Sequence, residues 1–289
     1  LLVNEYHHSL TWQNGMRKSS KEVGSSPAGG VTSAAAAIKT AVWRHIFMIK
    51  INKGDCIDLM QKEVKDKSVD LILCDLQYGI TNHKWDTVIP FDKLWEQYER
   101  IIKDNGAIVL FGAEPFSTKL RMSNMKLYRY DWIWLKSRAT LFQMSHKRPM
   151  NKHEIVSVFY KHQPKYNPQM SVGKPYKSKG GKIRTSSGFL HSGLKSVDTV
   201  NKGTRFPTTI LNFPNSNNKR YHPTEKPLNI LEYLIKTYTD ESDVVLDNCM
   251  GSGSTGVACA RLNRGFIGFE QDGHYYKVAE QRINNELNN

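Results

Sequence analysis

No apolar run in this 289-residue chain approaches the length of a membrane-spanning helix, so a membrane protein is not expected. Cysteine is scarce as well. Cys56, Cys74, Cys249 and Cys259 form no CxxC pair and have no histidine partner at zinc spacing. That excludes a disulfide scaffold or zinc module, leaves no metal to expect, and fits a reducing cytoplasm. Also missing is a Gly-Lys-Ser/Thr P-loop after any strand. Acidic residues nearly vanish from one stretch: between Lys136 and Arg220 there are 17 Lys or Arg and only two acids, Glu154 and Asp198. The resulting +15 exceeds the +14 of the whole chain. One-signed charge confined to one segment is the footprint of a polyanion, most simply nucleic acid. Aromatic residues among the cations (Phe142, Phe159, Tyr160, Tyr166, Tyr176, Phe189, Phe206, Phe213) argue for a segment that folds or stacks on bases.

Residues 1–47 show little periodicity and include a Gly/Ser/Pro run and an alanine tract. They read as a poorly ordered tail or an upstream read-through, with Met48 as the expected start. Lacking a continuous apolar core, they do not read as a signal peptide. From Met48 onward, strand and helix patterns alternate. Strands are expected at 48–52, 69–75, 107–111, 130–135, 155–160, 244–247 and 265–270. Helices are expected at 57–63, 91–103, 117–125, 227–238, 254–262 and 274–286. Alternation of this kind calls for an α/β fold, a mostly parallel sheet with helices on both faces. The stretch 161–220, rich in Gly, Pro, Ser, Asn and Lys, interrupts it as an insertion.

Two places carry chemistry. The apolar run Val69–Cys74 ends in Asp75-Leu76-Gln77-Tyr78. An acid at the carboxyl end of a parallel strand, with an aromatic two residues beyond Leu76, can hold a planar group bearing an exocyclic amine. The second place is Asp247–Gly256, where Gly251, Gly253 and Gly256 satisfy GxGxxG at a strand-to-helix crossing and Glu270 follows 19 residues after Gly251. A carboxylate there can accept both ribose hydroxyls. Alone, this loop suits a dinucleotide as well as any adenosyl ligand. Asp247, however, would repel a pyrophosphate and attract an ammonium, and the loop lies late in the chain. Both details lean toward an adenosyl ligand with an amino-acid end, S-adenosyl-L-methionine (SAM).

Asp75–Tyr78 resembles the Asp-Pro-Pro-Tyr motif of DNA amino-methyltransferases, especially the Asp-Leu-Pro-Tyr-Gly variant common in phage and prophage members. Asp247–Thr255 resembles their cofactor loop, and His222–Pro227 the motif that precedes it. The order, with the catalytic motif first and the cofactor loop last, is that of the β group, and the resemblance runs from Met48 to the C-terminus. It implies a Rossmann-like SAM-dependent methyltransferase of the restriction–modification kind acting on double-stranded DNA. It divides the chain into a catalytic half (48–161), a target-recognition insertion (162–220) and a SAM-binding half (221–289). Asp75, Leu76 and Tyr78 would be catalytic. Asp247, Gly251, Gly253 and Thr255 would line the methionine end of the cofactor. Glu270 would hold its ribose, Asp55 would lie near its adenine, and Lys226 would close the site from the other side. Aspartate at position 75 favours adenine N6 over cytosine N4.

The chemistry implied is positioning and electrostatics. Asp75 and the Leu76 carbonyl would accept the two amine hydrogens, and Tyr78 would stack on a base flipped from the duplex. Gln77 departs from the family, which carries proline there. The freer backbone costs on the order of 1 kcal/mol in loop ordering, or about fivefold in rate. The alternatives are the same transfer onto RNA and a DNA-binding relative weakened by Gln77.

Overall fold

Leu71, Ile72, Leu73 and Cys74 are all buried, yet alternate residues enter different cores: Leu71 and Leu73 one, Ile72 and Cys74 the other. A strand covered on both faces has this two-residue alternation without any polar positions. The computed structural model of the protein describes residues 49–79, 86–180, 197–215, 221–222 and 224–288. Among these, the strand is β2 (Val69–Asp75), near the middle of an eight-stranded sheet.

The neighbours of β2 are β11 (Val244–Asp247) and β3 (Ile102–Gly112). Beyond β11 lie β12 (Gly265–Glu270) and then β1 (Ile49–Lys53) at the edge. Beyond β3 lie β5 (Asn151–Phe159), β4 (Tyr128–Thr140) and β10 (Ile210–Asn212). Pairing is parallel except on both sides of β5. Three helices cover one face: α1 (Cys56–Glu63), α2 (Phe91–Ile101) and α3 (Phe116–Ser123). Three cover the other: α4 (Leu228–Tyr238), α5 (Ser254–Arg261) and α6 (Gly273–Leu287). In α2 the buried Leu94, Trp95, Tyr98 and Ile101 recur at helical spacing, which turns one stripe onto the sheet.

This topology creates the site. From β2 the chain moves one way to β3, and from β11 the other way to β12, so their carboxyl ends flank a crevice. Asp75 and Asp247 stand at those two ends.

The expected mostly parallel α/β architecture is present, with four differences in detail. Helix α2 stops at Ile101, not 103, and β3 begins at once at Ile102. Asp70 draws Lys103 into a bidentate pair at 2.8 Å, and a register shift between Val69 and Leu71 absorbs the extra residues. Helix α3 runs Phe116–Ser123 rather than 117–125. The strands β4 and β5 extend well past 130–135 and 155–160 as a two-stranded arm, Leu135 facing His153 and Thr140 facing Asn151. Its exposed residues carry no apolar alternation to read. The stretch 161–220 also contributes strands: β10 joins the main sheet, β6 (Ser171–Val172) pairs with β9 (Thr204–Arg205), and β7 (Tyr176–Ser178) with β8 (Thr199–Asn201). Backbone pairing, not burial, makes β6 to β9, whereas β10 also buries Leu211 in the core. The tail expected at 1–47, the start expected at Met48, and 181–196, 216–220 and 223 lie outside the described residues. No helix among the described residues is long and apolar enough to cross a membrane.

Candidate active site

At the end of β2, Asp75 is held from two sides. Tyr78 donates its hydroxyl to Asp75 Oδ1 at 2.6 Å, and Lys226 Nζ contacts Oδ2 at 2.5 Å. The Tyr78 ring stacks on Phe116, centroids 5.0 Å apart at 26°, so one ring face is covered. Burial and the adjacent Asp75 carboxylate push the Tyr78 hydroxyl well above its ordinary pKa, keeping it a donor. Leu76 is buried among the residues of the α1–α3 face, leaving its backbone as the part available to a ligand.

Lys226 is itself buried, with Nζ 3.4 Å from Glu154 Oε2 and 5.2 Å from the Phe111 ring centroid. Glu154 is paired in turn with Lys136 at 2.5 Å. Trp134 faces Glu154 across β4 and β5, and Lys136, two residues on, returns to the same face of the sheet. The result is an alternating chain: Lys136, Glu154, Lys226, Asp75. Burial alone would lower the Lys226 pKa, but Asp75 and Glu154 outweigh it and hold the ammonium above its usual range. Burial likewise opposes ionisation of Glu154, and the two lysines overcome it and hold its carboxyl below the usual value. Glu154 Oε2 is buried without a hydrogen bond of good geometry.

The segment carrying Lys226 is fixed by Glu225. Its Oε1 accepts from Ser254 at 2.9 Å and from Arg282 at 2.7 Å, and its Oε2 accepts from the Tyr221 backbone N–H at 2.8 Å. Tyr221 and Glu225, and with them the segment that leads to Lys226, are thereby tied to the start of α5 and the middle of α6.

The Gly-rich loop is organised by two carboxylates. Asp247 is buried: its Oδ2 accepts from the Thr255 hydroxyl at 2.6 Å, and its Oδ1 from the Cys249 N–H at 3.1 Å. Burial raises its pKa to about 6. Glu270 accepts from the Gly251 N–H at 2.9 Å and the Asp272 N–H at 2.8 Å, one on each oxygen, and burial raises its pKa too. Gly251 has a φ of +51°, and a Cβ there would meet nothing nearer than His222 at 3.9 Å. Its glycine serves the left-handed backbone that aims its N–H at Glu270. Gly253, at φ +78°, is different: a Cβ would fall 2.8 Å from that of Ala279 on α6.

Two cavities open at the carboxyl ends. One of about 480 Å³ is lined by Asp55, Ile57, Gln77, Ile89, Phe269 and Glu270, among others. The other, of about 60 Å³, is lined by Asp75, Phe111, Lys226, Asp247, Gly251 and Thr255, among others. Cys249 lines both, and its thiol donates to Gln77 Oε1 at 3.5 Å. Gln77 therefore ties the Asp75 loop to the Gly-rich loop, which its sequence position gave no reason to expect.

Of the residues singled out in the sequence, Asp75, Tyr78, Lys226, Asp247, Gly251, Thr255 and Glu270 come together around these cavities. Asp55 lines the larger one while its Oδ1 caps α1, accepting from Ile57 N at 2.9 Å and Asp58 N at 3.2 Å. Gly253 lines neither and packs on α6. Sequence reasoning did not assign Lys136 and Glu154 to the site; each follows an ordinary strand pattern, and only sheet pairing aligns them. No cluster of three or more metal-ligating side chains occurs among the described residues.

A family model described as DNA methylase matches residues 69–281. Type II methyltransferase M.HpaI of Haemophilus parainfluenzae is 26% identical over 239 residues, spanning 78% of this chain and 72% of that protein. Type II methyltransferase M.HindIII of Haemophilus influenzae is 34% identical over 131 residues, spanning 44% of this chain and 42% of that protein. Among solved structures, the M1.HpyAVI–SAM complex has a TM-score of 0.55 at 24% identity, covering 81% of this chain and all of that one. The cytosine-N4-specific PvuII DNA methyltransferase has 0.60 at 17% identity, covering 84% and 96%. At those identities the likeness describes the fold.

Proposed function

The chain belongs to the DNA methylase family, and from that premise we propose that it methylates an exocyclic amine of a base in double-stranded DNA, adenine N6 in preference to cytosine N4. The observation that carries this reading is the meeting of Asp75 and Asp247 around one cavity at the carboxyl ends of adjacent strands.

The cofactor is S-adenosyl-L-methionine, and the residues present fit it. The larger cavity has the size of a ligand pocket. Each Glu270 oxygen holds one backbone N–H and keeps a lone pair for a ribose hydroxyl. Ile57, Ile89 and Phe269 give apolar walls for an adenine ring, with Asp55 beside them. Buried Asp247, with Thr255 and Gly251, suits the ammonium of an amino-acid end. When bound, the cofactor supplies an electrophilic methyl group on a sulfonium.

An exocyclic amine is a weak nucleophile because its lone pair is delocalised into the ring. Asp75, fixed by Tyr78 and Lys226, accepts an amine hydrogen on a remaining lone pair, and the Leu76 carbonyl accepts the other. Those two bonds draw the nitrogen toward a pyramidal shape and turn its lone pair into the cavity. Asp75 is then the nearest acceptor for the proton the amine loses. Tyr78, with Phe116 stacked on one ring face and Lys226 Nζ over the ring at 5.8 Å from its centroid, is the aromatic beside Asp75 against which the flipped base packs. The cations between 162 and 220 grip phosphates and read base edges. A cytoplasmic location goes with this activity.

The test is expression of the full chain in a methylation-free bacterial host, followed by sequencing with modified-base detection. N6-methyladenine at one recurring sequence is expected. Methylation of cytosine N4 would reverse the base preference, and transfer to RNA alone would overturn the DNA reading.

A further inference from the structure

The arm formed by β4 and β5 reaches far beyond the level of the candidate site. Sheet register sets Asp75 beside Phe111, Phe111 beside Val156, and Val156 beside Trp132. Strand β4 runs parallel to β2 through these neighbours, so its carboxyl end rises on the same side as Asp75. It continues to Thr140, which pairs with Asn151 across a register shift after Leu135. The five residues of β5 from Val156 to Asn151 span roughly 17 Å at about 3.3 Å per residue. That is longer than the depth of a DNA groove, about 8.5 Å.

The tip of the arm is built rather than loose. Phe142–Met144 forms a single 3-10 turn, closed by Met144 N–H on Leu141 O at 3.0 Å and Ser145 N–H on Phe142 O at 3.0 Å. Lys147 and Arg148 N–H both return to Met144 O, at 2.8 and 2.9 Å. Leu141 enters the turn at φ +65°, a left-handed conformation that a leucine adopts only where its surroundings impose it. The arm is braced below by Asn215, whose Oδ1 accepts from Ser137 Oγ at 3.0 Å and Arg138 N at 3.1 Å.

This turn presents Phe142, which is 74% exposed, flanked by Leu141 and Met144 at 39% and 36%. The stretch that carries it holds Arg138, Lys147, Arg148 and Lys152, with no acid from 138 to 152. An apolar tip on a wholly cationic stretch matches a partner with stacked flat faces inside and negative charge outside. The base of the arm joins the site through the ion pairs of Lys136, Glu154, Lys226 and Asp75.

The geometry points to Phe142 as a wedge that enters the base stack of duplex DNA and holds open the gap left when the target base moves to Asp75. The four cations seat on the flanking phosphates. This inference rests on the methyltransferase reading above and adds to it the contact that keeps the base out. It also places a DNA contact outside 162–220.

The test compares the wild-type full chain with Phe142→Ala and Phe142→Trp on two duplexes bearing the site found by sequencing. In one the target base is paired normally; in the other it faces an abasic position, so little holds it in the stack. Phe142→Ala is expected to lose roughly tenfold to a hundredfold in transfer on the paired duplex, the worth of one stacked aromatic. On the abasic duplex the loss should nearly disappear. Phe142→Trp should keep most of the activity on both. Melting temperature and SAM affinity should match wild type, since the side chain is exposed and away from the cavities. Equal transfer by wild type and Phe142→Ala on the paired duplex overturns the wedge and points to a protein partner for this tip. An equal loss on both duplexes also overturns it. If wild type methylates neither duplex, the methyltransferase reading falls, and the wedge with it.

Discussion

Lys226 Nζ lies 2.5 Å from Asp75 Oδ2, although 151 residues separate them in the chain. The ammonium is buried and answers a second carboxylate, Glu154, at 3.4 Å. Two acids share this cation; without it Glu154 keeps Lys136, but Asp75 loses its ion pair. Breaking a buried pair by deleting one partner costs about 3–5 kcal/mol, or roughly 10 °C in melting temperature for a domain of this size. Lys226→Met should show that drop, measured by calorimetry. Lys226→Met with Asp75→Asn should recover part of it, because the carboxylate left without an ion pair is gone. If the double variant melts no higher than the single, Asp75 is not coupled to Lys226.

Asp75 itself bears on the reaction rather than on cofactor binding. Asp75→Ala should lower methyl transfer by about 10²-fold or more, the usual effect of losing one preorganised electrostatic partner. SAM affinity, read by isothermal titration, should fall far less than transfer, because Asp75 lines only the smaller cavity and the adenine and ribose sit in the larger one. A parallel loss of SAM affinity would make Asp75 a cofactor residue.

Asp247 predicts a pH dependence. Burial raises its pKa to about 6, and a ligand ammonium favours the ionised form. Below about pH 6 the free protein carries a proton there that the ammonium must displace. SAM affinity should therefore weaken as pH falls, by up to tenfold per unit until the lower pKa of the bound state is reached. The same shift acts on folding: the native state keeps this proton between 3.8 and about 6 while the unfolded chain releases it, so stability declines as pH rises through that window. Asp247→Asn should bind SAM about tenfold or more weakly at neutral pH and lose the acid dependence. Titrations from pH 5 to 8 would show either result.

Gly253→Ala should destabilise the fold and leave the cofactor site intact. The new Cβ would sit 2.8 Å from the Ala279 Cβ, on a backbone at φ +78°. Overpacking of that kind costs about 1–3 kcal/mol. A lowered melting temperature with an unchanged SAM dissociation constant is expected, and the reverse pattern would return Gly253 to the cofactor site.

Gln77→Pro should raise the transfer rate by about fivefold if backbone freedom at this position limits the Asp75 loop. It also removes the side chain that accepts from the Cys249 thiol at 3.5 Å. A slower Gln77→Pro enzyme would show that this tie between loops matters more than backbone stiffness.

The buried strands and most helices were legible because burial leaves a periodic trace. Val69–Cys74 reads as a strand covered on both faces, and Leu94, Trp95, Tyr98 and Ile101 read as a helix stripe. The β4–β5 arm and the short strands β6 to β9 were not legible, since their pairing is between backbones and most of their side chains face solvent. Tyr78, Asp247 and Glu270 were legible because each sits in a local motif. Glu154 and Lys136 were not, because no motif marks them.

The sequence by itself determined the alternation of strands and helices, the two chemical motifs and their order, and the concentration of positive charge. These are properties of neighbouring residues, set by periodicity and side-chain type. Only the tertiary structure decided that Lys226 is shared by Asp75 and Glu154, that Gly253 serves helix packing, that Gln77 joins two loops, and that Phe142 stands at the tip of a braced arm. Each of these depends on which strands lie side by side and in what register, and that is fixed by the packing of both faces of the sheet at once.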